Sequence, residues 1–401
     1  MRILYHFRTR GTGPEGVHIK GVAEAFRELG HEVVFSSPTG VDPTKTAGAD
    51  PFATRGGSTP GGSQAGLLGL MARHAPRVLF ELLELAYNVV SLLRNARLVR
   101  QGGIDLIYER HANFGFSTAV VSRWSHVPVV LEVNELVGDE RVRAEPVLKR
   151  VALATDRTIL ARASVIVVVS PHLKRRLIER GVAGSKILVQ PNAVSRQELE
   201  QVPNPADVRA RLDLGQSIVI GFVGYFVPWH RLRSLVDAFA TVRGERPAGD
   251  LRLMLIGTGP LREELEERAR AAGIADRVVF PGLVPHDRVF DHIAAFDVAV
   301  VPFSNAYRSP IKLFEYMSQG RLVVAPATEP IRMVARDGET ALLFEPDAPG
   351  ALAEALGRAV DDAGLRQRVG QAARAVVVER HTWSSNARGV LQRVAAGAPT
   401  G

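Results

Sequence analysis

Short apolar runs rich in Val, Ile and Leu alternate along the chain with longer stretches of helical period, the pattern of parallel strands covered by helices on both faces. In the first half the runs fall at 3–7, 32–36, 105–108, 127–133, 164–169 and 186–190. A polar, proline-containing stretch from Gln190 to Pro205 then interrupts the pattern, which restarts at 217–222, 251–256, 278–280, 298–301, 322–325 and 342–344. Two doubly wound, Rossmann-like α/β domains are predicted, 1–200 and 201–382. Ligands of such sheets sit at the carboxyl ends of the strands, so two such domains facing one another form a central cleft.

Two gaps in the alternation stand out. Residues 38–64 are rich in Gly, Pro, Ser and Thr with almost no apolar side chain, which predicts a mobile loop. Residues 67–100 read as a long helical stretch broken at Pro76, with an apolar face and arginines along the other side. Packing of that face into the core is expected. An acceptor-binding or membrane-surface helix is the alternative.

The length of 401 residues exceeds one ordinary core, and the 46% apolar and 23% charged fractions are those of a globular protein. Without cysteine there are no disulfides or thiolate metal sites, and no spacing of His and carboxylates reads as a metal site. The opening MRILYHFRTRG lacks the long apolar region of a secretory signal, and no run is long enough to span a bilayer, so a cytoplasmic location is expected. The net charge of +8 is concentrated in residues 1–200, with 26 Lys+Arg against 19 Asp+Glu. These basic residues are scattered, which predicts no nucleic-acid partner and leaves a peripheral membrane contact of the N-terminal domain open.

Gly11-Thr12-Gly13-Pro14-Glu15-Gly16 after the first strand is a literal G-x-G-x-x-G. The second strand, however, ends in Ser36 and Ser37, where dinucleotide binding wants an acid for the ribose. The small residues Gly13 and Gly16 still admit a ligand close to the backbone and the helix start. More informative is SNAYRSPIKLFEYMSQG, 304–320. Ser309 suits an N-cap, Pro310 the first helical position and Gly320 the position past the end. The amides of Ile311 and Lys312, beside the Lys312 ammonium, then form an anion site, with Glu315 nearly one turn deeper on the same face.

These motifs resemble those of the retaining glycosyltransferases of family 4, over nearly the whole chain. MRILYHFRTRGTGPEGVH and GHEVVF look like the family's first strand, glycine loop and second strand. GFVGYFVPWHRLRSLVDAF, LIGTGPLREELEERA, RVVFPGLV and HTW look like its later signatures, and the subgroup reading SPxKxFEYM is the closest match. The resemblance implies a GT-B fold with an acceptor-binding N-terminal domain, a nucleotide-sugar-binding C-terminal domain, and a last helix, about 383–398, returning to the first domain. It implies that Glu315 binds the donor ribose, that Ser309, Ile311 and Lys312 hold the diphosphate, that Leu283 and Val284 frame the base, and that Gly257 and Gly259 line the same pocket.

The chain departs from the family at three places. Tyr307 stands where the family has the first of two glutamates. Tyr225 and His230 replace its Arg and Lys after the first strand of the second domain, so Lys312, with Arg308 or Arg231, is expected to neutralise the diphosphate, and His230 either to take up a proton as the donor binds or to pack against Trp229 at the helix start. Asn134 aligns with a His near the reacting centre.

The resemblance implies retention of anomeric configuration without a carboxylate nucleophile, the leaving diphosphate being stabilised by helix-terminal amides and Lys312. The expected reaction moves a sugar from a nucleoside-diphosphate sugar to a glycan, lipid-linked or small-molecule acceptor, without metal or cofactor. A non-catalytic two-lobed nucleotide-sugar-binding protein is the alternative, and a dehydrogenase a weaker one.

Overall fold

The computed structural model describes residues 1–9, 14–38, 40, 42–44, 77–141, 144–246 and 249–397. The chain divides into two compact units, Met1–Gln190 with Asn386–Gly401, and Pro191–Ser385. The division falls at Gln190/Pro191 rather than at 200/201. The last helix, Trp383–Ala395, starts in the second unit and continues into the first. There the Gln190 side chain donates to the Asn386 carbonyl at 3.0 Å and Arg393 donates to the Ser185 carbonyl.

The first unit holds a six-stranded parallel sheet of β1 (Arg2–His6), β2 (Glu32–Ser36), β3 (Leu106–Arg110), β4 (Val129–Val133), β5 (Val165–Val168) and β6 (Ile187–Val189), in the order β2-β1-β3-β4-β5-β6. Every residue of β4 and β5 is buried, as expected of strands covered on both faces. The chain winds from β1 outward to β2, then crosses back to β3 on the other side. The carboxyl ends of β1 and β3 therefore flank the switch point where such sheets hold ligands.

The second unit repeats the plan with β7 (Ile218–Val223), β8 (Leu251–Ile256), β9 (Val278–Gly282), β10 (Val298–Val300), β11 (Leu322–Pro326) and β12 (Leu342–Phe344), ordered β12-β11-β10-β7-β8-β9. Along β8, Leu253 and Leu255 enter the cluster of Phe222, Leu235 and Phe239, whereas Met254 and Ile256 enter that of Phe296, Phe314 and Tyr316. Period-two alternation thus feeds two cores, one on each face. Gly221 makes room for the Phe296 side chain, since a β-carbon there would stand 2.2 Å from the Phe296 ring. The switch point lies between β7 and β10.

The helix expected over 67–100 is described as Arg77–Arg100, residues 51–76 and most of the expected loop at 38–64 lying outside the described residues. Its packing corrects the expectation of a buried apolar face. Asn88, Ser91 and Asn95 are buried, while Leu79, Leu82, Leu83, Val89, Val90 and Leu93 are exposed. A polar network at the sheet end explains the inversion. The Asn88 side chain donates to the Phe114 carbonyl at 2.7 Å, Ser91 bonds the His6 ring at 2.9 Å, and Ser36 donates to Asn95 at 2.6 Å. Each bond satisfies a group that burial would otherwise leave unpaired at a cost of about 1–3 kcal/mol. Ser36, where a dinucleotide fold would place its ribose-binding acid, is thereby committed to this helix.

Candidate functional site

In the second unit the site residues gather at the β7/β10 switch point. The eight-residue helix Ile311–Ser318 follows the loop from β10. Its side chains Leu313, Phe314, Tyr316 and Met317 are buried in the core. The Tyr316 hydroxyl accepts the Val223 amide at 2.8 Å, which ties the helix to the carboxyl end of β7. The next residue, Gly224, lies beneath Lys312, and a β-carbon there would stand 2.8 Å from the Lys312 ammonium. That ammonium lies 4.1 Å from the centre of the Phe222 ring. Burial lowers the Lys312 pKa to about 7, with Glu315 opposing and Arg308 adding to the effect. Glu315 is buried in the same helix.

The helix start differs from the expectation. Pro310, in extended conformation, is the N-cap residue, and no side chain caps the helix. Ser309 instead accepts the Asn192 amide on its hydroxyl at 2.9 Å and the Asn192 side chain on its carbonyl at 2.6 Å. Asn192 thus competes successfully for the hydroxyl, and the amides of Ile311 and Lys312 open the helix without a side-chain cap. Gly320 takes positive φ of 63° past the helix end, as expected, and the Arg321 amide returns to the Tyr316 carbonyl at 3.2 Å.

Gly257 and Gly259 let two loops meet. A β-carbon on Gly257 would lie 2.0 Å from the Gly224 carbonyl oxygen, and one on Gly259 2.6 Å from the Phe226 nitrogen. They bring the ends of β7 and β8 together. Leu283 and Val284 follow β9, Leu283 exposed and Val284 half-buried. Tyr225 accepts the His230 Nδ1–H on its carbonyl at 2.7 Å. This neutral His230 packs edge-on against Phe222, 5.5 Å between ring centres. Burial and the charges of Lys312 and Arg308 lower its pKa to about 3. In the free protein His230 is therefore a neutral packing residue, the second of its two expected roles, and the neighbouring Lys312 carries the charge. Arg231 is also drawn away, stacked on Phe303 and 3.3 Å from Asp347. Arg308 stays beside Lys312, its guanidinium 5.6 Å from the centre of the buried Tyr307 ring. Ser304 and Asn305, on the same loop, each bury a side-chain oxygen without a hydrogen-bond partner among the described residues.

In the first unit a cavity of about 460 Å³ opens at the β1/β3 switch point, lined among others by Arg8, Phe80, Tyr87, Arg110, His111 and Asn113. Sequence reasoning missed these residues, although Arg8 stands two residues past β1 and His111 directly follows β3, which is where ligand-binding residues of such sheets stand. Arg8 lies over the Tyr87 ring and donates to the Glu84 carbonyl at 3.1 Å. His111 meets Asp156 at 3.0 Å. Burial works against a charged ring there, but the Asp156 carboxylate outweighs it and raises the His111 pKa.

Behind the cavity is buried Glu132, which accepts from Arg110, from His18 at 2.9 Å, from Tyr108 at 3.1 Å and from Asn134. Burial opposes ionisation of Glu132, yet His18 and Arg110 hold its pKa well below the ordinary carboxylate range. Asn134 is not among the cavity's lining residues and braces Glu132 instead. Gly16 is buried in the first helix, Pro14–Glu28, and Gly13 lies outside the described residues.

Residues 16–198 match the family described as Glycosyltransferase Family 4, and residues 217–362 the one described as Glycosyl transferases group 1. The chain belongs to the family 4 glycosyltransferases. This glycosyltransferase is 21% identical to the alpha-D-kanosaminyltransferase of Streptomyces kanamyceticus over 310 residues, 74% of this chain and 79% of that one. It is 27% identical to the D-inositol 3-phosphate glycosyltransferase of Acidothermus cellulolyticus over 323 residues, 75% and 69% of the two chains. Its fold is that of Anabaena Alr3699/HepE, solved in complex with UDP, with a TM-score of 0.71 and 17% identity over 99% of this chain and 100% of that one. Two parallel six-stranded sheets with flanking helices are common to this GT-B architecture. The glycosyltransferase transfers a sugar, and the reading as a non-catalytic binding protein is not favoured.

Proposed function

We propose that this glycosyltransferase takes its sugar from a nucleoside diphosphate held on the second unit at the start of the Ile311–Ser318 helix. The observation that carries the reading is the Lys312 ammonium, seated over Phe222 in space cleared by Gly224 and beside the first amides of the helix. Diphosphate oxygens find there a cation and two N–H donors in a fixed arrangement. Glu315 accepts from the ribose hydroxyls, Leu283 and Val284 frame the base, and Gly257 and Gly259 shape the loops around it. The Anabaena neighbour in complex with UDP-glucose makes UDP the first nucleotide to test.

Transfer is retaining and uses neither metal nor cofactor. Among the described residues no group of three or more His, Asp and Glu side chains could hold a metal ion, and Lys312 and Arg308 supply the positive charge. The acceptor, a glycan, a lipid-linked or a small-molecule one, occupies the cavity of the first unit, where Arg110, His111 and Asn113 offer donors to hydroxyls. No described helix is long and apolar enough to cross a membrane. We place the protein in the cytoplasm, with its first unit resting peripherally on a membrane.

Calorimetry of UDP binding with and without a chelator tests the donor site. Equal micromolar-range affinity in both is the expected result. Binding abolished by the chelator, or unchanged by Lys312→Met, overturns the reading.

A further inference from the structure

The helix Arg77–Arg100 exposes a continuous line of side chains, Leu79, Leu82, Leu83, Ala86, Val89, Val90 and Leu93, at the spacing of one helical face. Leu83, Val89 and Leu93 are each more than 60% exposed. An apolar face of over three turns left outside a folded unit marks a contact surface. Its polar face is bonded into the protein through Asn88, Ser91 and Asn95.

The chemistry of the partner is written on the same line. Past Leu93 it continues into exposed Arg97 and Arg100. The packed neighbouring helix, Ser117–Ser125, exposes Arg123 and Trp124. The helix's two acids, Glu81 and Glu84, line the cavity instead. Half of the chain, residues 1–200, carries 26 Lys+Arg against 19 Asp+Glu and so most of the net charge of +8. Apolar side chains flanked by arginines and a tryptophan fit the interface of a bilayer containing anionic lipids, where the aliphatic groups enter the acyl boundary and the guanidinium groups meet phosphates.

We propose that this face seats the protein on an anionic bilayer. The inference rests on the peripheral placement proposed above and assigns it to one surface. Leu83 belongs both to the exposed face and to the cavity lining, and the exposed Phe80 beside that face lines the cavity too. The bilayer surface therefore reaches the mouth of the cavity, and the acceptor class that fits is a saccharide carried on a lipid.

Flotation of the full chain with vesicles tests the assignment. Binding is expected to phosphatidylcholine vesicles containing phosphatidylglycerol, and to weaken with salt. Val89→Ser with Leu93→Ser should weaken it by roughly tenfold, through lost apolar burial. Arg97→Ala with Arg100→Ala should weaken binding to the anionic vesicles by a similar factor while leaving binding to phosphatidylcholine alone unchanged. Because the chain has no cysteine, Leu93→Cys can carry a single environment-sensitive fluorophore, expected to shift blue when vesicles are added, and at lower lipid concentration with anionic vesicles. Absence of wild-type binding would overturn both this inference and the peripheral placement. Undiminished binding by all variants overturns only the assignment to this face. A blue-shifted fluorophore without vesicles shows the face covered by the chain itself in a monomer, or by a second copy where Val89→Ser with Leu93→Ser dissociates a dimer, and either result overturns the inference.

Discussion

A β-carbon on Gly224 would stand 2.8 Å from the Lys312 ammonium nitrogen. The loop after β7 is thus built around a side chain from the helix after β10. The first prediction follows directly. Gly224→Ala should displace Lys312 and lower UDP affinity by about tenfold or more, and should also lower the melting temperature, because Gly224 takes φ of 152° and its β-carbon would press on Phe222; a folded variant with normal affinity would show that the ammonium does not reach the nucleotide.

Lys312 should also set the pH dependence of donor binding. In the free protein burial lowers its pKa to about 7, and a bound diphosphate raises that value by favouring the charged form. Binding therefore takes up a proton between the two values, and affinity falls by up to about tenfold per unit as pH rises above 7. Lys312→Arg, which stays charged, should flatten the curve. His230→Gln should leave its shape unchanged, because His230 is neutral throughout the range. Calorimetry in buffers of different ionisation enthalpy reads the proton uptake.

Tyr316→Phe removes the hydroxyl that accepts the Val223 amide. A buried donor left unpaired costs about 1–3 kcal/mol. Denaturant unfolding should show that loss, and UDP affinity should fall with it because the helix start is no longer tied to the end of β7. Stability lost without any change in affinity would make the bond purely structural.

Glu132 anchors the buried cluster of the first unit, and Glu132→Gln should destabilise that unit by roughly 3–5 kcal/mol, the cost of breaking a buried ion pair. The folded-state pKa lies below that of an ordinary glutamate, about 4.3. Its contribution is therefore fully present above that value and is lost as pH falls toward the folded-state value. Thermal melts from pH 7 to pH 3 should show a smaller acid dependence in the variant than in the wild type.

The two sites should separate kinetically. His111→Ala and Asn113→Ala line the cavity of the first unit, so each should raise the acceptor KM about tenfold while leaving UDP binding as it was. A change in UDP affinity instead would move the donor nearer these residues than proposed.

Most of the architecture is legible in the residues, because a strand buried on both faces must be continuously apolar and short. The runs at 32–36, 251–256 and 342–344 coincide with β2, β8 and β12, and the others differ only at their ends. The helix from Ile311 and its glycine terminator are likewise local properties of the chain. Sequence by itself therefore determined two six-stranded α/β units and the segment carrying Lys312 and Glu315. Tertiary structure decided what distant groups do to one another. Asn192 captured the Ser309 hydroxyl expected to cap the helix. Burial and the Lys312 charge made His230 a neutral packing residue. A polar network from His6, Ser36 and Phe114 turned the helix Arg77–Arg100 inside out. Hydrophobic period shows that a helix has two faces, but which face is buried depends on the partners that folding brings to it.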